Sequence, residues 1–179
     1  MVTIIFESHG TTLDNERHLA SGWFDVELSE LGKKQAQELG ERYRNNEFDA
    51  IFCSDLKRSF LTAQMAFNGR GFQVIKDRRL RECNYGDMTR HPSAEVEPAK
   101  VLHLEKPFPN GESYEQTAVR MKSFLHDLLK DYVGKRVMIV GHRATQYGLE
   151  HWIYGLSLKE IIQTSWHWQP GWAYYLEKL

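Results

Sequence analysis

The chain has 179 residues, of which 41% are hydrophobic, and its 23 basic residues nearly balance its 24 acidic ones. This length predicts one compact domain over residues 1–179 with a single hydrophobic core. A net charge of -1 lacks the basic surplus typical of nucleic-acid-binding proteins, so we expect no nucleic-acid partner. No apolar run is longer than a strand, so no membrane role is expected.

The start of the chain and the cysteines indicate a cytoplasmic protein. No basic segment followed by an apolar stretch and a cleavage site is present at the N-terminus. Cys53 and Cys83 do not form a Cys-x-x-Cys pair, which argues against a zinc site or a disulfide framework. A reducing compartment is therefore the expected location.

Apolar periodicity predicts strands that alternate with helices. Short apolar runs typical of buried strands occupy 2–6, 49–53, 72–75 and 136–140. Helices are expected at about 29–45, 55–67, 113–132 and 144–154, with a further capping box at Ser157 and Glu160. This alternation favours a parallel or mixed sheet covered by helices on both faces.

Three other segments lack such periodicity. Residues 8–28 read as a long polar loop, and about 81–110 read as a loop with a short helix, of the kind that often forms a lid or substrate segment. Pro170-Gly171 separates 164–169 from 172–177, which predicts a C-terminal β-hairpin.

Two histidines follow predicted strands directly. His9 comes after the run at 2–6, and His142 after the run at 136–140. Because function collects beyond the carboxyl ends of strands in open α/β sheets, we expect these two imidazoles to meet there.

The loops after the strands also supply arginines, a carboxylate and small polar residues. An imidazole can attack phosphorus, guanidinium groups can hold charged phosphoryl oxygens, and a carboxylic acid can protonate a leaving alkoxide. These are the groups needed to transfer a phosphoryl group without a metal. The residues concerned are His9, Gly10, Thr12, Asn15, Arg58, Arg81, Glu82, His142 and Arg143.

Several short blocks follow one another in order between residues 4 and 143. They read SHGTTLDN at 8–15, GWFD at 22–25, SDLKRS at 54–59, LRE at 80–82, PNGES at 109–113 and VGH at 140–142. The ordered set resembles the histidine phosphatase superfamily in its phosphoglycerate-mutase-like branch. The resemblance implies a three-layer α/β/α sandwich with a mostly parallel central sheet.

The resemblance also implies roles for individual residues. His9 would be the phosphorylated nucleophile, Arg58 would grip the phosphate, Glu82 would be the general acid and later the base, and His142 would stabilise the phosphoryl charge. No cofactor and no metal are implied. Residues expected to line the substrate pocket are Ser8, Gly10, Thr12 and Asn15, with Arg81 as a lesser candidate on the rim.

One position departs from the family pattern. The family has an arginine immediately before the nucleophile, and this chain has Ser8. Loss of one such clamp could cost about 3–4 kcal/mol of transition-state stabilisation. Relatives usually have glycine after the second histidine, where this chain has Arg143. We therefore hypothesise that Arg143 occupies the vacated volume and restores the second guanidinium.

Several functions remain open at this stage. The favoured one is a metal-independent phosphatase that acts on a small phosphomonoester through a phosphohistidine. Alternatives are a phosphoglycerate-type mutase, a weakened pseudo-phosphatase that binds phosphate or another anionic ligand, and an enzyme that uses His9 as a base. Two histidines and a glutamate could in principle bind zinc, but the surrounding arginines would repel a cation. Aromatic residues at the C-terminus could supply a homodimer interface.

Overall fold

The protein is described by a computed structural model that covers residues 1–179. Its five strands form one sheet in the order β3-β2-β4-β1-β5. β1, β2, β3 and β4 pair in parallel, and β5 joins the edge antiparallel to β1. The mostly parallel sheet expected from the sequence is confirmed. The strands are β1 Val2–Ser8, β2 Ala50–Cys53, β3 Val74–Lys76, β4 Arg136–Gly141 and β5 Trp172–Leu176.

Seven α-helices connect or follow these strands. They are α1 Leu13–Glu16, α2 Glu30–Arg42, α3 Lys57–Phe67, α4 Ser93–Ala99, α5 Tyr114–Asp131, α6 Arg143–Tyr154 and α7 Leu158–Gln163. Three short 3₁₀ turns occupy Arg78–Leu80, Gly86–Met88 and Lys100–His103. None of the helices is long and apolar enough to cross a bilayer.

The helices cover both faces of the sheet, which confirms the three-layer arrangement. On one face Phe6 and Ile139 pack with Phe124 and Leu125 of α5 and with Leu149 of α6. A second cluster covers the opposite face and holds α2 and α3 against the sheet. Its members include Ile5, Leu39, Ile51, Ala63, Phe67 and Met138.

The predicted C-terminal hairpin is wrong. Only Trp172–Leu176 forms a strand, and it pairs with β1 rather than with residues 164–169. Pro170 has no N–H to donate, and Gly171 turns the chain at φ +77°. Residues 164–169 form no strand, and Trp166 stacks on Trp172 with 6.0 Å between ring centroids.

The segment at 81–110 is more ordered than a plain loop. It contains the expected short helix, α4, and two 3₁₀ turns. Cys83, Tyr85, Val96 and Phe108 form a small core of their own with residues of α5 and α6, Tyr114 and Tyr147 among them. This packing fixes one wall of the cavity described below.

The register between β1 and β4 determines where the two histidines lie. Ser8 is the partner of Gly141, and the backbone N–H of His9 donates to the Gly141 carbonyl at 3.1 Å. His9 and His142 are therefore the first residues beyond two neighbouring parallel strands. A Cβ at Gly10 would lie 2.5 Å from the carbonyl oxygen of Gly32, so the loop after His9 packs directly on α2.

Candidate active site

A cavity of about 460 Å³ opens at the carboxyl ends of β1 and β4. Most of the residues expected from the sequence border it. They are Ser8, His9, Gly10, Asn15, Arg58, Glu82 and Arg143. His142 is almost fully buried behind them, and its ring centroid lies 5.1 Å from that of His9.

His9 has the tautomer that a nucleophile needs. Its Nδ1 lies 2.8 Å from the carbonyl oxygen of Gly10, which can only accept, so Nδ1 carries the proton and Nε2 keeps its lone pair. Burial and the nearby charge of Arg58 lower the pKa of His9 to about 3. The imidazole is therefore neutral over the whole physiological range.

The loop that carries His9 is tied to the helix that carries Arg58. The N–H of Gly10 donates to Thr62 Oγ1 at 3.0 Å, and the Thr62 hydroxyl donates to the Arg58 carbonyl at 2.6 Å. The N–H of Thr11 donates to Gln35 Oε1 at 2.8 Å. The position of the imidazole is thus set by neutral hydrogen bonds from α2 and α3.

Arg58 is a buried cation with no carboxylate partner. Its side chain is held by carbonyl oxygens, with Nη2 donating to Gly22 at 2.7 Å and Nη1 to Phe24 at 3.1 Å. Burial lowers its pKa, and the Coulombic attraction of Glu82 opposes that change. Carbonyl dipoles offset only part of a full charge, so this site has a positive surplus that favours an anion.

His142 presents an unused donor next to His9. Its Nε2 lies 2.6 Å from Ser54 Oγ, and that oxygen already accepts from the N–H of Leu56. The Ser54 hydroxyl proton is free to donate to Nε2, and in that tautomer the His142 proton lies on Nδ1. Nδ1 is buried and has no partner within the protein. Burial, followed by the charge of Arg58, lowers the pKa of His142 well below its usual value.

Glu82 is held firmly through its backbone. Its carbonyl accepts from Trp23 Nε1 at 2.6 Å and from Arg120 Nη2 at 2.9 Å. One carboxyl oxygen, Oε1, accepts from the N–H of Cys83 at 2.8 Å. The other has no partner within the protein, and the residue borders the cavity with 8% of its surface exposed.

Arg143 extends over an aromatic wall of the same cavity. Its Nη2 donates to the hydroxyl of Tyr147 at 2.6 Å, and its guanidinium lies 5.1 Å from the Tyr147 ring centroid and 5.0 Å from that of Trp166. Its Nε is buried and has no hydrogen-bond partner. Cation–π contacts and one hydrogen bond therefore hold the group, and its Nε–H has no partner.

The carboxylate beside Ser8 is neutralised locally. Glu7 is 2% exposed and accepts from Arg42 Nη1 and from the Tyr43 hydroxyl, each at 2.8 Å. Burial nevertheless raises the pKa of Glu7. Arg42 and Tyr43 therefore compensate the negative charge of Glu7, which reduces its repulsion of an anion in the cavity.

Two of the expected pocket residues lie outside the cavity wall. Thr12 is fully buried and caps α1, where its Oγ1 accepts from the N–H of Asn15 at 3.0 Å. Arg81 forms a two-pronged ion pair with Asp55, with both contacts at 2.7 Å, and stacks over Trp23. The structure thus gives both residues structural contacts and no contact with the cavity.

The cavity also has polar and aromatic residues that the sequence did not indicate. Thr62, Trp166, Trp168, Glu97 and Lys100 all border it. The last two belong to the segment at 81–110, where no motif marked them. The structure contains no cluster of three or more His, Cys, Asp or Glu side chains that could hold a metal ion.

Comparisons with known proteins identify the family of the chain. Residues 4–169 match the family description "histidine phosphatase superfamily (branch 1)". Phosphoserine phosphatase 1 of Hydrogenobacter thermophilus is 30% identical over 174 residues, which cover 90% of this chain and 80% of the relative. A 2,3-bisphosphoglycerate-dependent phosphoglycerate mutase of Cytophaga hutchinsonii is 33% identical over 155 residues, with 79% and 72% covered.

Solved structures give the same result. A mycobacterial glucosyl-3-phosphoglycerate phosphatase in complex with VO3 superposes with a TM-score of 0.81 at 25% identity, covering 91% of this chain and 87% of that one. Bacillus stearothermophilus YhfR superposes with a TM-score of 0.82 at 25% identity, covering 95% and 88%. The chain therefore belongs to the histidine phosphatase superfamily, branch 1, and is a histidine phosphatase.

Proposed function

We propose that the protein hydrolyses a small phosphomonoester without a metal, through a phosphohistidine formed on His9. The observation that carries the proposal is the neutral imidazole of His9 with its free Nε2, beside an arginine without a carboxylate partner. The unpartnered Nδ1 of His142 adds a donor on the same side. A phosphoryl group would satisfy both cationic and neutral donors at once.

The first chemical step transfers the phosphoryl group to His9. The lone pair on Nε2 forms a bond to phosphorus as the bond from phosphorus to the ester oxygen breaks. Glu82 gives its proton to that oxygen, so the leaving group departs as an alcohol. Arg58 uses only two of its five N–H donors on carbonyl oxygens, so others remain for the phosphoryl oxygens.

The second step returns the enzyme to its starting state. Glu82, now a carboxylate, takes a proton from water while the water oxygen bonds to phosphorus. The bond between phosphorus and Nε2 breaks, and its electron pair returns to His9. Inorganic phosphate leaves, and Glu82 again holds the proton that the next turnover needs.

Arg143 provides the guanidinium that Ser8 cannot. Ser8 lies two residues after Phe6 on β1, and alternate residues of a strand share a face. Phe6 packs on Trp172, Trp172 stacks on Trp166, and Trp166 lies under the Arg143 guanidinium. This contact chain supports an approach of Arg143 from the face of β1 that the missing arginine would occupy.

The segment at 81–110 serves as the lid and substrate segment of one domain that spans 1–179. Ser93, Glu97 and Lys100 of this segment border the cavity, which supports that role. Both cysteines are free and buried, in keeping with a cytoplasmic location. Exposed Trp168 and Tyr175 near the C-terminus are the candidates for a homodimer contact.

Hydrolysis is favoured over the competing functions. A mutase must shield its phosphoenzyme from water. The segment at 81–110 is short, so it can cover less of the cavity than a larger insertion would. A pure binder of anions has no need for a neutral nucleophile and a carboxylic acid together. A mutase would reveal itself by a requirement for a bisphosphate primer.

Replacing His9 tests the proposal directly. We expect metal-free hydrolysis of an aryl phosphate at pH 4 to 8, and we expect His9→Ala to reduce it to background because His9 is the nucleophile of the proposed mechanism. The activity should show no acidic limb near pH 6.5, since His9 stays neutral down to about pH 3. Equal rates in the two proteins would contradict the proposal.

Replacing Glu82 tests the general acid. We expect Glu82→Gln to slow hydrolysis of an alkyl phosphate about 100-fold, within the usual range for a general acid. The loss should be much smaller with a nitrophenyl phosphate, because that leaving group departs without a proton. Measured kcat values for the two esters give the comparison, and identical losses would remove Glu82 from this role.

An exchange of side chains tests the role of Arg143. We expect Arg143→Gly to lower kcat/KM about 100-fold, on the scale of one lost oxyanion donor. Adding Ser8→Arg to that variant should recover at least a tenth of the lost activity, because the guanidinium returns from the other side. Arg44→Gly, in the exposed turn that follows α2, serves as the control. Unchanged kcat/KM in Arg143→Gly would disprove the exchange.

A further inference from the structure

We propose that Lys100 and Glu97 form a subsite for an α-amino acid group, so that the substrate is the phosphate ester of a hydroxy amino acid. The proposal rests on the proposed function, since it names the leaving group of that reaction. It assigns Lys100 to the carboxylate of the leaving group and Glu97 to its ammonium group.

Lys100 is buried to a degree that is rare for lysine. Only 2% of its surface is exposed, although it lies in a surface segment between α4 and α5 and borders the cavity. A lysine enters such a position only where its charge is compensated. Ion pairs between residues three apart on a helix also form on exposed surfaces. The ion pair between Lys100 and Glu97 therefore does not explain why Lys100 is buried.

The hydrogen-bond capacity of Lys100 is mostly unused. Its Nζ donates to Glu97 Oε1 at 2.7 Å and has no other partner within the protein. Its other contact is a cation–π contact with the face of the Tyr147 ring, whose centroid lies 5.9 Å from Nζ. An ammonium group has three donors, so two are left for a ligand.

Glu97 complements this cation. Its side chain is 57% exposed, its Oε1 accepts from Lys100, and its Oε2 has no partner within the protein. Glu97 borders the same cavity. Lys100 therefore offers two free N–H donors, and Glu97 offers a free acceptor oxygen beside them. This pattern is complementary to a zwitterion.

The subsite lies within reach of the reacting groups. The Lys100 Nζ lies 5.9 Å and the Arg143 guanidinium 5.1 Å from the centroid of the Tyr147 ring, so both cations flank the same aromatic side chain. The Tyr147 hydroxyl is held by Arg143. His9, Glu82, Glu97 and Lys100 border one cavity, so a single ligand can contact the subsite and the reacting groups together.

The subsite at Lys100 and Glu97 differs in charge from the position proposed for the phosphate. Arg58, His142 and Arg143 already supply donors for the dianion, and none of them pairs with a carboxylate within 4.0 Å. Lys100 by contrast keeps an acidic neighbour. A purely anionic ligand would meet Glu97 as a repulsive group, whereas a zwitterion would bind both.

Binding to a His9→Ala variant tests the proposal without turnover. The probes are O-phosphoserine, O-phosphoethanolamine without the carboxylate, 3-phosphoglycerate without the amine, and glycerol 3-phosphate without either. We expect calorimetry to give a Kd for O-phosphoserine at least tenfold below that of each other probe. Equal affinities for the four probes would overturn the proposal.

Two further variants assign the contacts. In the same background, Lys100→Met should abolish the preference for O-phosphoserine over O-phosphoethanolamine, and Glu97→Gln should abolish the preference over 3-phosphoglycerate. Lys159→Met, an exposed lysine outside the cavity, is the matched control and should keep both preferences. Preferences that persist in Lys100→Met would overturn the assignment, and the four-probe comparison stands even if that variant fails to fold.

The two proposals fail in different ways. Retained binding preference with no hydrolysis by the intact protein would contradict the phosphatase mechanism and leave the subsite standing. Hydrolysis of all four esters through His9 with equal kcat/KM, together with equal affinities, would remove the subsite and leave the mechanism standing.

Discussion

The parallel pairing of β1 with β4 is the constraint on which the site depends. Pairing Ser8 with Gly141 makes His9 and His142 neighbours, with their ring centroids 5.1 Å apart. A shift of one residue would turn His9 to the other face of the sheet and separate the two rings. The apolar cores on both faces hold this register, because a slip of one residue would exchange the side chains of the two closely packed faces and disrupt both cores. Sheet packing is thus the source of the geometry that the chemistry requires.

The electrostatics of the site follow from burial without counter-charges. Protein surrounds His9 and His142, and Arg58 adds a positive charge nearby, so protonation of either ring is unfavourable. The same Arg58 is compensated only by carbonyl oxygens. A site of this kind is electrostatically incomplete when empty, and the phosphoryl dianion of the proposed substrate would complete it. The neutral state of His9 and the affinity of the site for an anion therefore have the same cause, which is burial next to the uncompensated charge of Arg58.

Much of this arrangement could be predicted from the sequence. Short apolar runs followed by His9 and His142 indicated the strands and their meeting point, and capping boxes at Ser113 and Ser157 marked true helix starts. These signals are local, so they survive folding unchanged. The hairpin at Pro170-Gly171 failed because β1 offered a better partner for β5 than residues 164–169 did, and pairing over such a distance leaves no local trace.

The side-chain environment was harder to predict than the elements. Thr12 and Arg81 stand close in sequence to the proposed catalytic residues, yet a cap and an ion pair take up their polar groups. Lys100 carried no signal at all, because its burial depends on contacts of the turn Lys100–His103 with α4 and α7 and on Tyr147 of α6. Neighbourhood in sequence thus indicates which loops form a site, while tertiary packing decides which of their side chains face it.

The most direct test of the account is to trap the phosphoenzyme. The protein would be mixed with a phosphomonoester for milliseconds, quenched in alkali to preserve phosphoramidate bonds, digested and analysed by mass spectrometry. The account predicts a gain of one phosphoryl group on the peptide with His9, and none in His9→Ala. Hydrolysis of the ester with no phosphoryl group on His9 at any time point would contradict it.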